Sequence, residues 1–451
     1  MGAFHAYDIR GVYNVDFDKD VAYKVGYFLP ELLSADKVLV GRDARVSSDE
    51  IHEWLLKGIT DAGADVYDAG LCTTPMVYFG TAFYGFKASV QITASHNPAE
   101  YNGMKVSREN ALPVGYDTGL GQIKEWIEAG RECPVAEKRG EVHQIDVRKD
   151  YLPFLLKYKE DWSGLKIAMD VSNGMASLFV HEIFGDEPAY IYDNMDGTFP
   201  NHEPNPLVPK NVVDLQKLVA ATKADIGIIF DGDADRVMFV DENSRFISPD
   251  LMIAVLGHYF LEERGEKGYI HQDIRSSKAV GEYLAPMGGV MNTWRVGRAY
   301  AALKLRELDG VYGGELAGHY YFRDFFYSDS GLLAAILIVN VAAKMKAQGV
   351  SLSQLIGRIE KYQNSGEINF RLEDKKGAMD AVRDYFMQNE KSTAYMDFDG
   401  YRVEFPDWWF NIRPSNTEPY LRFICEATTK ELLDEKVAKV REILTDQFGA
   451  K

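Results

Sequence analysis

Cysteine is scarce in this chain of 451 residues, which contains only Cys72, Cys133 and Cys425. Because the number is odd and the positions are far apart, a disulfide framework is excluded, and the absence of a Cys-x-x-Cys pair excludes a cysteine-based metal knuckle. A long hydrophobic run is also lacking. The most apolar stretch, residues 332–343, is shorter than a bilayer requires and is interrupted by Asn340. We therefore expect no membrane partner.

Targeting signals and an excess of basic residues are missing as well. The opening MGAFHAYDIRG has no charged n-region or apolar h-region, and Ala6 stands where a myristoylation signal needs Ser or Thr. We expect a cytoplasmic protein. The chain has 50 Lys and Arg against 68 Asp and Glu, a formal net charge of −18, which argues against a nucleic-acid partner. A small anionic substrate is compatible with this charge if Arg and Lys cluster locally.

Short apolar runs alternate with helical segments in three successive rounds, which end in ASVQITAS, ADIGIIF and VYGGELAGH. Such alternation predicts α/β domains with mixed, largely parallel sheets, in which ligands bind beyond the carboxyl ends of strands. The last segment indicates paired strands with helices, an α+β unit. We predict three α/β domains, 1–146, 147–245 and 246–362, and a C-terminal α+β domain, 363–451, arranged around a central cleft.

Three carboxylates follow the last strand of the second round, in the motif DGDADR at residues 231–236. Alternate residues of an extended loop can point to one side, so Asp231, Asp233 and Asp235 are predicted to converge on one cation. The ligands are few and all of them are hard oxygens, which favours Mg²⁺. Its remaining coordination positions would be open to phosphate or water. An EF-hand is excluded because Arg236 stands where its loop needs glycine. A solvated acidic turn is the alternative.

The motif TASHNP at residues 93–98 follows the last strand of the first round, and NGMK closes the loop with Lys105. An Asn-Pro turn is expected to project Ser95 and His96 outward. Ser95 is a candidate nucleophile or phosphate carrier, although a serine hydroxyl needs help from a base or a metal. Esterase chemistry is unsupported because GxSxG is missing. A purely structural loop serine is the alternative.

Further polar motifs suit a phosphorylated sugar. GGELAGH, residues 313–319, offers Glu315 and His319 for sugar hydroxyls, and a tight turn with a capping acid is the alternative. RPSNTEP, residues 413–419, predicts an anion cradle of guanidinium, hydroxyl and amide groups, and an ordinary hairpin turn is the alternative. Arg10, in YDIRG, is either a phosphate ligand or a buried ion-pair residue.

Taken in this order, YDIRG, TASHNP with NGMK, DGDADR, GGELAGH and RPSNTEP resemble the motifs of the α-D-phosphohexomutases, over the chain from Tyr7 to about Arg422. With Asn416 in RPSNTEP, the chain is similar to the phosphomannomutase/phosphoglucomutase branch, since the phosphoglucosamine branch typically has Gly there. The resemblance implies a heart-shaped, four-domain enzyme that moves phosphate between C1 and C6 of a hexose. Mannose is the expected sugar and glucose a second one, with phosphoglucosamine as an alternative.

The resemblance also implies roles for individual residues. Ser95 would be phosphorylated in the active enzyme and would exchange its phosphate with the substrate through a hexose 1,6-bisphosphate, which also serves as activator. Ser95 would hold Mg²⁺ together with the three aspartates, and Lys105 would transfer protons. His96 and Arg10 complete the implied catalytic set. The implied substrate-binding residues are Glu315, His319, Arg236, Arg298, Arg413, Ser415, Asn416, Thr417 and Arg422.

Two positions depart from many relatives. Ala317 stands where they have Ser, and Arg298 where some have His, so Arg298 is expected to bind phosphate rather than act as an acid or base. Two other classes stay open: a metal-dependent sugar phosphatase or nucleotide-sugar transferase that uses the aspartates without Ser95, and a non-catalytic sugar-phosphate-binding protein. The expected partners are small hexose phosphates, and the chain is expected to be a monomer or a small homo-oligomer.

Overall fold

The computed structural model describes residues 2–415 and 420–450. Its first domain holds a seven-stranded sheet. In chain order its elements are β1 (Ile9–Val12), α1 (Lys19–Leu33), β2 (Lys37–Arg42), α2 (Ser48–Asp61), β3 (Asp65–Leu71), α3 (Thr74–Phe83), β4 (Ala88–Ile92), β5 (Tyr101–Arg108), β6 (Leu112–Val114), α4 (Leu120–Glu128) and β7 (Val142–Gln144). The strand order is β1-β5-β4-β2-β3-β7, with β6 paired to β5. Strands β4, β2, β3 and β7 are parallel, whereas β5 is antiparallel to its neighbours.

The second domain has a five-stranded sheet in the order β12-β11-β10-β8-β9. Its elements are α5 (Arg148–Leu156), β8 (Ile167–Asp170), α6 (Val180–Phe184), β9 (Ala189–Ile191), α7 (Val213–Thr222), β10 (Ile226–Phe230), β11 (Val237–Asp241) and β12 (Phe246–Ile247). Strands β9, β8 and β10 are parallel, and β11 turns back against β10.

The third domain has a five-stranded sheet in the order β14-β13-β15-β16-β17. Its elements are α8 (Leu251–Gly257), β13 (Gly268–Asp273), α9 (Lys278–Leu284), β14 (Gly289–Trp294), α10 (Arg298–Glu307), β15 (Tyr312–Gly314), β16 (Tyr320–Phe322), β17 (Ser328–Asp329), α11 (Gly331–Ala347) and α12 (Leu352–Ile359). Strands β14, β13 and β15 are parallel, and β16 turns back against β15.

The fourth domain is an antiparallel six-stranded sheet in the order β18-β23-β22-β21-β20, with β19 paired to β23. Its elements are β18 (Gln363–Asn364), β19 (Ile368–Arg371), α13 (Lys375–Asn389), β20 (Ala394–Met396), β21 (Tyr401–Glu404), β22 (Trp408–Pro414), β23 (Tyr420–Ala427) and α14 (Lys430–Phe448). This sheet with two long helices confirms the predicted α+β domain.

One arrangement recurs in the three α/β domains. The motif loops at 93–98, 231–236 and 315–319 each connect a strand that lies in the parallel part of its sheet to a strand that runs antiparallel to it. The α/β prediction with mixed sheets is therefore confirmed, and antiparallel pairing begins at the motif in every case. One detail differs from the sequence interpretation, because Lys105 does not lie in the loop. It lies in β5, opposite Gln91 of β4.

The proposed domain limits relate differently to the sheets. The limits at 146 and 362 lie between one sheet and the next. The limit at 245 separates β12 from β11, although Phe246 and Ile247 of β12 pair with β11. A limit after Ile247 would keep the second sheet whole.

The apolar run around Asn340 forms the buried helix α11, in which every residue from Gly331 to Ala342 is buried. The run is apolar because it packs within a hydrophobic cluster shared by the first three domains. Asn340 accepts a hydrogen bond from Trp162 Nε1 at 2.6 Å. Within the described residues no single helix is long and apolar enough to cross a membrane. Helices α11 and α12 would pass that test only as a pair bent by 103°.

The fourth domain is attached to the third by buried polar contacts. Arg402 Nη1 donates to the carbonyl oxygens of Ile274 at 2.8 Å and Ser276 at 2.6 Å. Glu426 accepts three hydrogen bonds, from Ser277 Oγ at 2.7 Å, Trp409 Nε1 at 2.8 Å and Asn364 Nδ2 at 3.0 Å. Burial, together with the charge of Asp250, raises the pKa of Glu426 to about 7.

Candidate active site

The loop that carries Ser95 faces the aspartate loop of the second domain. Ser95 lies just after β4, is 1% exposed, and has a φ of 52°. Its Oγ donates to Asp231 Oδ2 at 2.9 Å. The two loops also meet at the main chain, since a Cβ on Gly232 would lie 2.5 Å from the carbonyl oxygen of Ser95. Glycine at 232 is therefore what allows this close approach.

Lys105, on the neighbouring strand β5, contacts the other two aspartates of this loop. Its Nζ lies 2.7 Å from Asp233 Oδ2 and 2.6 Å from Asp235 Oδ2. Burial favours the neutral amine, but the charges of Asp233 and Asp235 outweigh it and hold the pKa of Lys105 above its ordinary value. Lys105 is therefore a cation at neutral pH, and it neutralises part of the charge of the cluster.

The three aspartates are all buried and carry too much negative charge for one lysine to balance. Burial and the charges of the other two raise the pKa of Asp231 well above its ordinary value. Burial acts in the same direction on Asp235, but Lys105 and His319 outweigh it and hold the pKa of Asp235 well below its ordinary value. One loop thus contains two carboxyl groups whose pKa values are shifted in opposite directions.

This cluster fits a divalent cation. Each of the three aspartates offers one oxygen, and these atoms lie within 4.8 Å of one another. Asp233 Oδ1 is buried and accepts no hydrogen bond from the described residues, and Asp235 Oδ1 is buried 3.4 Å from His319 Nε2. Buried carboxylate oxygens without donors are unfavourable unless a cation is bound, and an all-oxygen donor set suits Mg²⁺.

The loop of the third domain completes the group around the aspartates. Glu315 accepts from the main-chain N–H of Gly297 at 2.6 Å and lies 2.9 Å from His319 Nδ1. Arg236 Nε donates to His319 Nε2 at 3.1 Å when that nitrogen is unprotonated. The same nitrogen lies 3.4 Å from Asp235 Oδ1, so protonation would exchange the Arg236 hydrogen bond for an ion pair.

The charge state of His319 follows from its neighbours. Burial and Arg236 lower the pKa of His319, but the carboxylates of Asp235 and Glu315 outweigh them and raise it to about 9. The pKa of His96, whose Nδ1 is 3.4 Å from Ser95 Oγ, is shifted in the opposite direction. Burial, with Arg236 and Arg10, lowers the pKa of His96 well below its ordinary value, so His96 is neutral.

Two predicted arginines are engaged with protein groups. Arg10 donates to Asn97 Oδ1 at 2.8 Å and pairs with Asp8, which places it against the Ser95 loop. Arg298 donates to Asp329 Oδ1 at 2.8 Å, and its guanidinium lies 3.6 Å from the centre of the Tyr78 ring. Arg298 therefore bridges the third and first domains beside the site.

The predicted phosphate cradle lies at the end of β22. Arg413 is 5% exposed, and its Nη1 lies 3.7 Å from Asp399 Oδ1. Ser415 donates its main-chain N–H to Tyr420, and Arg422 donates to Glu367 Oε1 at 2.7 Å. Burial, with Arg275, lowers the pKa of Arg413. Asn416 and Thr417 lie outside the described residues.

Sequence reasoning missed several residues at this site. Thr74, the first residue of α3, donates its hydroxyl to Asp233 Oδ2 at 2.5 Å. Arg275 forms a buried pair with Asp273 and lies 4.0 Å from Glu367 of the fourth domain. Arg45 contacts the Ser95 loop directly. The available signal was position, because Arg45 and Arg275 both follow closely on the carboxyl end of a strand.

Comparisons with known proteins agree with this architecture. Four domain models of one family match the chain: phosphoglucomutase/phosphomannomutase, alpha/beta/alpha domains I (residues 1–132), II (149–244) and III (248–362), and the C-terminal domain (367–443). A phosphomannomutase of Salmonella montevideo is 37% identical over 454 residues, covering 96% of this chain and 98% of the relative. Proteins called phosphohexose mutases in Xanthomonas campestris pv. campestris are 35% identical, with 98% and 99% coverage.

A solved structure of a phosphoglucomutase/phosphomannomutase family protein from Burkholderia thailandensis has a TM-score of 0.87 and 29% identity, covering 98% of this chain and 97% of that one. The chain therefore belongs to the phosphoglucomutase/phosphomannomutase family. It is an enzyme of the isomerase class, a hexose phosphate mutase. The resemblance found in the sequence motifs is confirmed.

Proposed function

We propose that this enzyme interconverts hexose 1-phosphate and hexose 6-phosphate, with mannose as its main sugar and glucose as a second one. The observation that carries the proposal is the position of Ser95, whose hydroxyl is 2.9 Å from Asp231 in a buried cluster with Lys105. The names of the relatives, phosphomannomutase and phosphohexose mutases, support the sugar.

In the proposed cycle the bond between phosphorus and Ser95 Oγ breaks while a substrate hydroxyl oxygen bonds to phosphorus, which gives a hexose 1,6-bisphosphate. The hydroxyl loses one proton and the released Ser95 Oγ gains one, and this exchange runs in reverse when the other phosphate passes back to Ser95. Asp231, Asp233, Asp235 and phosphorylated Ser95 would hold Mg²⁺, which when bound would neutralise charge on the transferred group. Lys105, fixed between two of the aspartates, would orient the reacting hydroxyl, and its ammonium would give a proton to the departing Ser95 oxygen and take one back from that hydroxyl. Arg10 would hold the loop through Asn97, and His96 would act beside Ser95 within that loop.

The remaining proposed residues would bind the sugar and its second phosphate. Glu315 and His319 face the aspartate cluster, and we assign them to the sugar hydroxyls together with Arg236 and Arg298. Arg413, Ser415, Asn416, Thr417 and Arg422 would hold the phosphate that does not react. A cradle that binds only phosphate accepts either end of the sugar, which the bisphosphate must allow when it turns around.

The first test replaces Ser95 with Ala and measures turnover of mannose 1-phosphate and glucose 1-phosphate, with Mg²⁺ and a trace of glucose 1,6-bisphosphate. We expect at least about a 1000-fold loss of kcat/KM, since the variant has no hydroxyl to carry the phosphoryl group. Mass spectrometry should show about 80 Da, one phosphoryl group, on the wild type and none on the variant.

Ser107→Ala is the matched control, because Ser107 is as buried as Ser95, lies on β5, and its Oγ makes no hydrogen bond with a described residue. It should keep both activity and phosphate uptake. Full activity of Ser95→Ala would instead favour a phosphatase or transferase that uses the aspartates alone. Turnover of glucosamine phosphate in preference to both hexoses would move the assignment to the phosphoglucosamine branch.

Metal content tests the cofactor separately. After chelation, titration with Mg²⁺ should restore activity at one ion per chain, and Asp233→Asn should weaken that binding. Retention of full activity in the chelated enzyme would contradict the magnesium site. The absence of nucleic-acid and membrane partners, a monomeric or small oligomeric state, and the cytoplasmic location stay predictions.

A further inference from the structure

The main chain of the loop that carries Ser95 is held by Arg45, a residue outside the motifs discussed above. Arg45 lies three residues after β2, and its side chain is 0% exposed. Its two terminal nitrogens donate to four main-chain carbonyl oxygens of the loop, those of Ser95 (2.9 Å), Asn97 (2.7 Å), Pro98 (2.6 Å) and Tyr101 (3.0 Å). Its Nε donates to Asp43 at 3.1 Å. All five N–H groups of the guanidinium are therefore used.

The conformation of Ser95 needs such support. A φ of 52° is in the left-handed region, which residues other than glycine adopt only when their surroundings hold them there. The side chain of Thr93 accepts the N–H of Ser95 at 2.9 Å, and Arg45 binds the carbonyl on its other side. Both polar groups of the Ser95 main chain are thus fixed, and this fixes the direction of the Ser95 hydroxyl.

Arg45 is itself held from two domains. Asp43 accepts from the main-chain N–H of Arg45 at 3.0 Å and from Ser48 Oγ at 2.6 Å. The ring of Phe199, in the second domain, lies 4.9 Å from the guanidinium carbon of Arg45. The same second domain supplies Asp231, so Arg45 links the serine loop to the domain that holds the aspartates.

We propose that Arg45 is a positioning residue that sets the rate at which Ser95 takes up phosphate, without contact with the substrate. The proposal rests on the proposed function, because it requires Ser95 to carry the phosphoryl group. Lysine cannot replace Arg45, since one ammonium with three donors cannot reach four carbonyls arranged around a planar fork. Loss of the clamp lets the hydroxyl move, and a displacement of about 1 Å can cost about 100-fold in rate.

The test compares wild type, Arg45→Lys and Arg45→Ala. Glucose 1,6-bisphosphate is the phosphate donor, and intact-mass measurement follows uptake at Ser95. Both variants should lose about 100-fold in kcat and in uptake rate, while KM for the hexose phosphate changes less than about threefold. Low concentrations of guanidinium ion should raise the rate of phosphate uptake by Arg45→Ala at least tenfold, whereas ammonium ion should not. Hydrogen exchange of the 93–101 segment should be faster in both variants.

Arg306→Lys is the control, because Arg306 also donates to two main-chain carbonyl oxygens, those of Asn110 and Phe326, but does not contact the serine loop. It should take up phosphate at the wild-type rate. Uptake at the wild-type rate in Arg45→Lys would overturn the positioning role alone. So would a fall in kcat matched by an equal rise in KM, with no rescue by guanidinium ion. If the wild type itself takes up no phosphate at Ser95, the proposed function fails and this proposal fails with it.

Discussion

Lys105 is the residue on which the balance of charge in the aspartate cluster depends. Its Nζ bonds both Asp233 and Asp235, and its side chain is only 13% exposed. Without this ammonium, two buried carboxylates would lose their shared cation, and Asp233 Oδ2 would keep only the neutral hydroxyl of Thr74 among the contacts described above. We predict that Lys105→Met lowers the free energy of unfolding by about 3–5 kcal/mol in chelator, the usual result of removing one member of a buried ion pair.

Magnesium should partly compensate for this loss, since a cation bound by the same carboxylates replaces the missing charge. The melting temperature of Lys105→Met should therefore rise more on addition of Mg²⁺ than that of the wild type. Lys124→Met is the control, because Lys124 forms only a partly exposed pair with Glu128 at 3.8 Å and should change stability by less than about 1 kcal/mol. An identical Mg²⁺ shift in all three proteins would contradict this account.

At the level of residues, the sequence predicted those side chains whose type and spacing indicate a particular chemistry. Asp231, Asp233 and Asp235 alternate after an apolar strand, and the structure brings them together. For Arg45 it offered only a position after a strand, because arginine in a turn is common and its four carbonyl partners lie about fifty residues further along the chain. Nor could it show that Arg298 would lie over Tyr78, a contact between two domains.

Helices α1 and α2 pack closely against each other through two glycines. A Cβ on Gly58 would lie 2.0 Å from the carbonyl oxygen of Tyr23, and one on Gly26 would lie 2.3 Å from that of Leu55. These neighbours are main-chain atoms of the opposite helix and cannot move independently. We predict that Gly58→Ala lowers the free energy of unfolding by about 1–3 kcal/mol, the usual cost of overpacking, as measured by denaturant titration.

The matched substitution is Gly357→Ala in α12, where a Cβ would meet no atom within 4 Å. There the better helix propensity of alanine should raise stability by about 0.5–1 kcal/mol. Changes of opposite sign in the free energy of unfolding at these two helical glycines would separate the effect of packing from that of helix propensity. Equal effects at both positions would show that helix contact is not what restricts Gly58.

At the level of elements, prediction succeeded where local pattern and global fold agree. The apolar runs that end in ASVQI and IGIIF are the fully buried strands β4 and β10. Local pattern did not reveal that NGMK continues as β5, because its pairing with β4 is decided by sheet contacts rather than by propensity. The two-residue strand β12 fell beyond the predicted limit at 245 for the same reason.

The attachment of the fourth domain gives the whole molecule a dependence on pH. The pKa of Glu426 is raised to about 7 by burial at this contact. A carboxyl group whose pKa is raised on folding stabilises the folded state fully below its unfolded pKa, and that contribution is lost as pH rises through the folded value. Between about pH 4.5 and pH 7 the wild type should therefore lose up to about 3 kcal/mol.

Glu426→Gln removes the titrating group while keeping an oxygen that accepts from Ser277 and Trp409. Its melting temperature, relative to the wild type, should rise from pH 5 to pH 8. Glu390→Gln serves as control in the same domain, because Glu390 is partly exposed and pairs with Lys436. A constant difference between Glu426→Gln and wild type across this range would contradict the prediction.

On the largest scale, the sequence predicted four domains but not how they touch. Motif order alone gave one polar loop per α/β domain, which the structure confirms. The buried contacts of Arg402 with Ile274 and Ser276 carry no local signal, since they join residues over a hundred positions apart. A net charge of −18 likewise could not show that Arg10, Lys105 and Arg236 gather at one place.

The spread of the site over successive domains has a consequence for synthesis. Ser95 meets its aspartate partner only when Asp231 is present, and the aspartates meet His319 only when the third domain has been made. During translation, a ribosome therefore carries a chain whose serine loop has been synthesised long before its charged surroundings exist. The nascent enzyme should remain inert toward cellular sugar phosphates until the residues around His319 have emerged from the exit tunnel.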